Sequence, residues 1–411
     1  MPCPVLYFQL HQPHRLRRYS PFDSGPPYFD DAKNAEILRK VADKCYRPAT
    51  RLLIDLARRF EGRFKVAFSI TGTAIEQLEA HAPDVIGHVR ELARMGACEL
   101  LSETYHHSLA FIHSRAEFEA QLALHTRTME QVFGQTPRVF RNTELIYADE
   151  VAAHVFAMTD DTGRPRFKGI LCEGVTDLLA GRTPGVVYAP PMTIPGRTDR
   201  PGLLLKNHRL SDDIAFRFGD RQWGQWPLTP AKFASWLAHE PGHTVNLFMD
   251  YETFGEHQWA DTGIFQFLWD LPGAFFEIDP AAAFLTPTEA LARFGGPDTP
   301  TYAVPRYTSW ADRERDLSAW QGNAMQRDAA AVVYALEGPV KARAADENDE
   351  EGQKLLADWR RLTTSDHFYY MSVKGGPEGE VHAYFRPYDS PYDAFIALRN
   401  VAADVRARCG T

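Results

Sequence analysis

Short apolar, β-branched or aromatic runs recur along the first part of the chain, and segments with helical spacing separate them. The predicted strands cover residues 5–10, 65–71, 98–105, 139–145, 169–175, 203–210 and 244–252. Several of these runs are continuously apolar, which is typical of parallel strands covered on both faces. Strand alternating with helix predicts a parallel α/β sheet or barrel.

Helix start and stop signals support this alternation. Ser114 followed by Glu117 forms a capping box, and the helix that it starts is expected to end near Gly134. Thr229 and Pro230 supply an N-cap and a first-turn proline for a second predicted helix, which begins directly after Thr229.

Strand signals become sparse after about residue 285. A helix is expected to open at 286–289, a long helix at 312–336, and a last helix from 390 to 406. We therefore predict a barrel domain over residues 1–285 and a mainly helical domain over residues 286–411 that packs on it.

Polar residues collect where the predicted strands end. In chain order they are His11, Thr71, Glu103, His106, Glu144, Glu173, Asp212, Asp213, Asp250 and Glu252. Because the carboxyl ends of parallel barrel strands meet at one mouth, this pattern favours a shared active-site rim. A pair of carboxylates is the minimum equipment for glycosidic cleavage, but the pattern alone does not choose among the candidates.

Other site types find little support. The dinucleotide, P-loop and serine-hydrolase motifs are absent from the sequence, and so is the HExxH spacing of zinc enzymes. We therefore predict no metal and no cofactor.

Composition narrows the partners and the compartment. The net charge of −9 argues against a nucleic-acid or anionic-membrane surface. The five scattered cysteines form no CxxC pair, and the apolar run at the N-terminus has no basic head before it. We expect a cytoplasmic protein whose oligomeric state the sequence does not indicate.

Five segments, in order, resemble the motifs of glycoside hydrolase family 57. They are His11-Gln12-Pro13, Gly96-Ala97-Cys98-Glu99, the segment FRNTEL that contains Glu144, the segment DYETFG that begins at Asp250, and Trp320-Gln321-Gly322-Asn323. The segments SDDIAFRF and TSDHFYYM further resemble the α-amylase-type branch of the family. FRNTEL departs from the family's third motif, which often has an aromatic residue near the glutamate.

The resemblance implies a distorted (β/α)7 barrel and a retaining reaction, with Glu144 as nucleophile and Asp250 as general acid/base. His11 and Glu99 are similar to residues that hold the glucose ring. The further candidates for substrate contact are Gln12, His107, Trp223, Trp226, Glu252, Trp259 and Trp320, and each of these is also compatible with a purely structural role.

The expected substrate is an α-1,4-glucan or malto-oligosaccharide. A 4-α-glucanotransferase or branching enzyme is the alternative within the same chemistry, because only the acceptor of the glucosyl group differs. A catalytically inactive glucan-binding protein is the alternative of another class, and a metal-dependent sugar deacetylase is a third.

Overall fold

The computed structural model describes residues 1–410 and contains seven parallel strands, one at each predicted place. They are β1 (Cys3–Leu10), β2 (Val66–Ile70), β3 (Cys98–Leu100), β4 (Val139–Arg141), β5 (Gly169–Glu173), β6 (Gly202–Lys206) and β7 (Thr244–Asp250). Nearly every residue in them is buried, as expected of strands covered on both faces.

The strands form two sheets, β3-β2-β1-β7 and β4-β5-β6. Two short junctions close them into a barrel. A parallel bridge joins Ser102 after β3 to Phe140 of β4. On the other side, the backbone N–H of Asn207 after β6 donates to the carbonyl of Asn246 in β7 at 2.8 Å. The predicted distorted (β/α)7 barrel is therefore confirmed.

Twelve helices accompany the barrel and seven follow it. The first group is α1 (Asp31–Val41), α2 (Arg47–Arg59), α3 (Gly72–His81), α4 (Pro83–Arg94), α5 (Ala110–His113), α6 (Arg115–Phe133), α7 (Asp149–Ala157), α8 (Thr176–Leu179), α9 (His208–Ala215), α10 (Pro230–His239), α11 (Ile264–Ile278) and α12 (Pro287–Phe294). The second group is α13 (Ser318–Gln321), α14 (Ala324–Ala335), α15 (Glu337–Arg343), α16 (Glu350–Leu362), α17 (Ser365–Tyr369), α18 (Gly376–Phe385) and α19 (Pro391–Arg408).

The predicted cap of α6 forms in part. The Ser114 hydroxyl accepts the backbone N–H of Glu117, and Gly134 ends that helix with a φ of 71°. Thr229 caps α10 with its hydroxyl in the same way. The reciprocal half of the capping box of α6 is wrong, because the Ser114 N–H donates to the carbonyl of Ala110 and the Glu117 carboxylate pairs with Lys341 and Arg360 instead.

The long helix expected at 312–336 is wrong. Asp312 and Arg315 adopt positive φ angles in an irregular loop, and helix begins only at Ser318. The chain breaks again at Asn323, whose side chain caps α14. Local polar-to-backbone bonds outcompete continued helix here.

The barrel interior has its own apolar core, and α12 contributes Ala290 and Leu291 to it. A separate core joins helices α13 to α17 and α19 with Leu16, Tyr28 and Phe29 from the first barrel loop. The division at residue 285 stays a prediction, and this packing favours grouping α12 with the barrel. No helix within residues 1–410 is both long and apolar enough to cross a membrane.

Candidate active site

Glu144 follows β4 in a single 3-10 turn, and both of its carboxylate oxygens are hydrogen-bonded. His107 Nε2 lies 3.0 Å from Oε1, and Trp310 Nε1 donates to Oε2 at 2.6 Å. The backbone φ of Glu144 is 56°, and that of His107 is 52°. His107 and Glu144, which are hydrogen-bonded through their side chains, thus both have a left-handed backbone conformation. This conformation is unfavourable for residues other than glycine and must be stabilised by the surrounding packing. Such backbone strain is concentrated at functional sites.

His107 lies between two carboxylates. Its Nδ1 is 3.0 Å from Glu103 Oε2, while its Nε2 faces Glu144. Burial alone would lower the pKa of His107, but the hydrogen bonds and charges of the two glutamates raise it to about 9. His107 is therefore an imidazolium at neutral pH and donates through both nitrogens.

The same contacts keep both glutamates ionised. Burial would raise the pKa of Glu103 and of Glu144, but His107 and the charge of Arg141 hold each below its ordinary value. Gln9 also donates to Glu103, at 3.0 Å. Glu103 is fully buried, whereas the Glu144 side chain keeps 23% of its surface exposed, so only Glu144 is open to a substrate.

His11 stacks on His107, with ring centroids 4.0 Å apart. Burial and the charge of His107 lower the pKa of His11, so the stack contains one cation rather than two. His11 Nε2 lies 2.9 Å from Asp366, and its Nδ1 lies 2.9 Å from the Thr71 hydroxyl. A neutral ring satisfies both contacts by donating to the carboxylate and accepting from the hydroxyl.

Asp250 ends β7, in register with Gln9 of β1. Its carboxylate makes no hydrogen bond or ion pair within residues 1–410. Burial first, and then the charge of Glu144, raise the pKa of Asp250 to about 6, against the opposing charges of Arg141 and Lys206. Asp250 can therefore hold a proton close to neutral pH, and its carboxyl has no hydrogen-bond partner that would compete for that proton.

Glu252, two residues further on, has a pKa that is raised in the same way. Burial first, and then the charge of Asp250, raise the pKa of Glu252 to about 8. Its carboxyl accepts the Tyr46 hydroxyl and lies 3.4 Å from Gln12 Nε2. Gln12 also accepts from Arg15 and donates to Tyr46, so its side chain fixes the loop after β1.

The other rim carboxylates are neutralised by cations. Arg315 lies 3.0 Å from Glu173 and 3.6 Å from Asp212. Lys206 lies 3.2 Å from Asp212. The negative charges of Glu173 and Asp212 are therefore balanced by nearby cations. Glu144 and Asp250 remain as the two carboxylates available to a substrate.

Arg141, on β4, carries a fully buried guanidinium. No hydrogen bond reaches any of its three nitrogens within residues 1–410, and its closest carboxylate oxygen, on Glu103, is 3.9 Å away. The guanidinium lies 4.9 Å from the centre of the Trp310 ring. It supplies positive charge to the carboxylates without pairing with either catalytic candidate.

Residues 5–304 match the family described as Glycosyl hydrolase family 57. A curated protein of Methanocaldococcus jannaschii that carries the provisional name alpha-amylase is 38% identical over 407 residues, which are 97% of this chain and 82% of that protein. The chain belongs to glycosyl hydrolase family 57.

Solved structures of the family share the fold at low identity. The GH57-type branching enzyme of Pyrococcus horikoshii superimposes with a TM-score of 0.63 at 16% identity, over 93% of this chain and 87% of that one. The GH57 branching enzyme of Thermococcus kodakaraensis gives a TM-score of 0.63 at 13% identity, with the same two coverages.

The barrel mouth of this family 57 chain brings together six of the eleven predicted site residues: His11, Gln12, His107, Glu144, Asp250 and Glu252. Glu99 lies at the amino-terminal end of the barrel instead. Its carboxylate accepts the backbone N–H of Thr288 at 2.9 Å and the hydroxyl of the same residue at 2.6 Å. It therefore anchors the first turn of α12.

None of the four predicted tryptophans forms a hydrogen bond with Glu144 or Asp250 within residues 1–410. Trp320 is buried in the core of the helical domain. Trp223 packs against Trp236, Trp226 is 44% exposed, and Trp259 is 60% exposed beneath Lys44. The tryptophan that does reach the nucleophile is Trp310, which local sequence patterns do not distinguish from the others.

Proposed function

We propose that this family 57 glycosyl hydrolase cleaves α-1,4-glucosidic bonds with retention, as an α-amylase-type enzyme. Glu144 is the nucleophile and Asp250 the general acid/base. One contrast carries the proposal. Glu144 is held ionised by hydrogen bonds to both oxygens, while Asp250 has an unbonded carboxyl whose pKa is raised to about 6.

In the first step a Glu144 oxygen attacks the anomeric carbon and the glycosidic C–O bond breaks. The Asp250 proton passes to the departing oxygen, which leaves as a free sugar hydroxyl. In the second step the Asp250 carboxylate takes a proton from water, the water oxygen bonds to the anomeric carbon, and Glu144 is released.

The surrounding residues hold Glu144 ready for this exchange. His107 and Trp310 fix the orientation of its carboxylate, which reduces the rotation needed before attack. As the ester forms, the oxygen that stays a carbonyl keeps one of these two donors. His11, Gln12 and Glu252 border the same mouth and are our candidates for contact with sugar hydroxyls.

An α-glucan substrate is supported by the family and by the provisional name of the Methanocaldococcus jannaschii relative. Water and a second sugar are alternative acceptors for the same covalent intermediate. Incubation with maltoheptaose separates them, since hydrolysis gives only shorter oligomers with new reducing ends. Products longer than maltoheptaose would assign the chain to transfer instead.

The catalytic roles are tested with Glu144→Gln and Asp250→Asn. Each is expected to lower kcat by roughly four or more orders of magnitude, because each removes a group that bonds to the reacting atoms. Asp261→Asn, an exposed residue in the segment after β7, is the matched control and is expected to retain full activity. A fluorinated glucosyl fluoride that traps the intermediate should add its sugar mass to the peptide containing Glu144. Equal background activity in the parent and both variants would favour an inactive glucan-binding protein.

We also propose a cytoplasmic location. All five cysteines are free thiols, and four of them are buried. Free thiols without disulfides are typical of a reducing compartment. Detection of the protein in the culture supernatant or periplasmic fraction of its host would contradict this location.

A further inference from the structure

A second concave surface lies beside α9 and α10, on the segment that joins them. This groove encloses about 560 Å³ and is lined by Arg209, Asp213, Arg217, Trp223, Gln225 and Trp236. None of the six forms a hydrogen bond or ion pair with Glu144, Asp250, His107 or Trp310. The groove therefore makes no polar contact with the residues proposed for catalysis.

Two indole rings give the groove flat apolar walls. Trp223 and Trp236 have centroids 6.3 Å apart and planes inclined by 79°. Trp236 packs against Phe233, which belongs to the buried core between the barrel strands and helices α10 and α11. Broad indole faces of this kind attract the C–H faces of pyranose rings, which are apolar although their edges carry hydroxyls.

Each charged residue of the groove is already paired with a residue of opposite charge. Arg217 Nε lies 2.6 Å from Asp213, and Arg209 pairs with Glu240. The groove therefore has little net charge to attract an anion. The Gln225 side chain makes no hydrogen bond within residues 1–410, and the paired arginines keep further N–H donors. A groove with aromatic walls, paired charges and free hydrogen-bond donors suits an uncharged ligand that carries many hydroxyl groups.

The segment that carries Trp223 is fixed by hydrogen bonds to its own backbone. Lys232 Nζ donates to the carbonyls of Gln225 and Pro227 at 2.8 and 3.3 Å. The N–H of Trp226 donates to the carbonyl of Trp223 at 2.8 Å. A wall held in place in this way loses little conformational freedom when a ligand binds, so weak sugar contacts yield net affinity.

We propose that this groove is a second α-glucan-binding site, which holds a polymer chain outside the catalytic mouth. The inference rests on the proposed function, which supplies the class of ligand. A glucan chain long enough to reach both sites would be held at a high local concentration near the catalytic mouth. We expect a short malto-oligosaccharide to occupy only one of the two sites at a time and to gain nothing from the groove. The groove thereby favours long substrates.

Two variants test the groove. Trp236→Ala removes one indole wall, and Gln225→Ala removes an exposed polar side chain with no structural partner. Trp269→Ala is the matched control. Trp269 is a half-buried tryptophan on α11 that lies beneath Arg59 and does not line the groove. Thermal melting of each variant shows whether it is folded.

Binding is measured as retardation in native gels that contain soluble amylose, and activity as kcat/KM on amylose and on maltotetraose. Trp236→Ala is expected to weaken amylose binding at least about fivefold, and Gln225→Ala about twofold, from the lost contacts. kcat/KM should fall severalfold on amylose and stay within about twofold on maltotetraose. Trp269→Ala should match the parent throughout.

Unchanged retardation in both folded variants would overturn the inference, even if the parent cleaves maltotetraose. A parent that cleaves no α-glucan would overturn the proposed function, while retardation lost only in the groove variants would still support the groove.

Discussion

Trp310 donates its indole N–H to the carboxylate of Glu144 at 2.6 Å, across 166 positions of the chain. The backbone N–H of Trp310 also donates to the carbonyl of Glu144 at 3.2 Å. Trp310 precedes the loop in which Arg315 pairs with Glu173 and Asp212. The segment between α12 and α13 therefore borders the proposed catalytic mouth of the barrel.

Trp310→Phe keeps the aromatic packing and removes the hydrogen bond to Glu144. A hydrogen bond to a charged group contributes about 1.5–3 kcal/mol, so we expect kcat to fall roughly 10- to 100-fold. KM for maltoheptaose should change little if the bond orients the nucleophile rather than the substrate. Trp269→Phe is the control, and equal kcat values in the two variants would show that Trp310 plays only a packing role.

The pH profile of kcat/KM is expected to be limited on its basic side by Asp250. The raised pKa of about 6 means that Asp250 is protonated below that pH and loses its acid function above it. Glu144, whose pKa is lowered, must be ionised, which places the acidic limb below the ordinary range of a glutamate. We therefore expect activity to be maximal on the acidic side of neutrality and to fall as the pH rises through about 6. A basic limb above pH 8 would show that Asp250 is not the proton donor.

The strands and several helix starts could be predicted from the sequence, because they leave local signals. Glu144 and Asp250 were chosen by their resemblance to family motifs, and their catalytic roles stay a prediction. Strand periodicity placed β1 to β7, and Ser114 and Thr229 marked the helix starts. The motif residues Glu144 and Asp250 meet at the mouth because parallel strands share one carboxyl end.

The partners of that pair could not be predicted, because they depend on tertiary contacts. Trp310 lies in a segment adjoining a stretch whose apolar spacing suggested helix, yet Asp312 and Arg315 take positive φ angles there. Glu99 sits in a family-like motif, but a bond to Thr288 holds it at the opposite end of the barrel. The spacing of residues along the chain does not indicate that a residue of β3 will contact the first turn of α12.

His107 makes stability depend on pH. Its pKa is raised to about 9 in the folded chain, above the ordinary value of about 6.5 in the unfolded chain. Its contribution is therefore fully present below about pH 6.5 and is lost as the pH rises through 9. We expect the free energy of unfolding to fall by up to about 3 kcal/mol between pH 7 and 10. Denaturant titrations across that range should show the fall in the parent and a flatter curve in His107→Gln. Parallel curves would contradict an imidazolium between Glu103 and Glu144.

Arg141 sets the proton affinity of the catalytic pair through charge rather than through a bond. It lowers the pKa of both Asp250 and Glu144, although its guanidinium makes no hydrogen bond within residues 1–410. Arg141→Met removes the charge while keeping an unbranched apolar side chain. We expect the basic limb of the pH profile to move up by about half to one unit, because Asp250 then holds its proton more tightly. Arg141→Lys keeps the cation and should restore the limb toward its original position. A folded Arg141→Met protein with an unshifted limb would show that this arginine acts only through packing against Trp310.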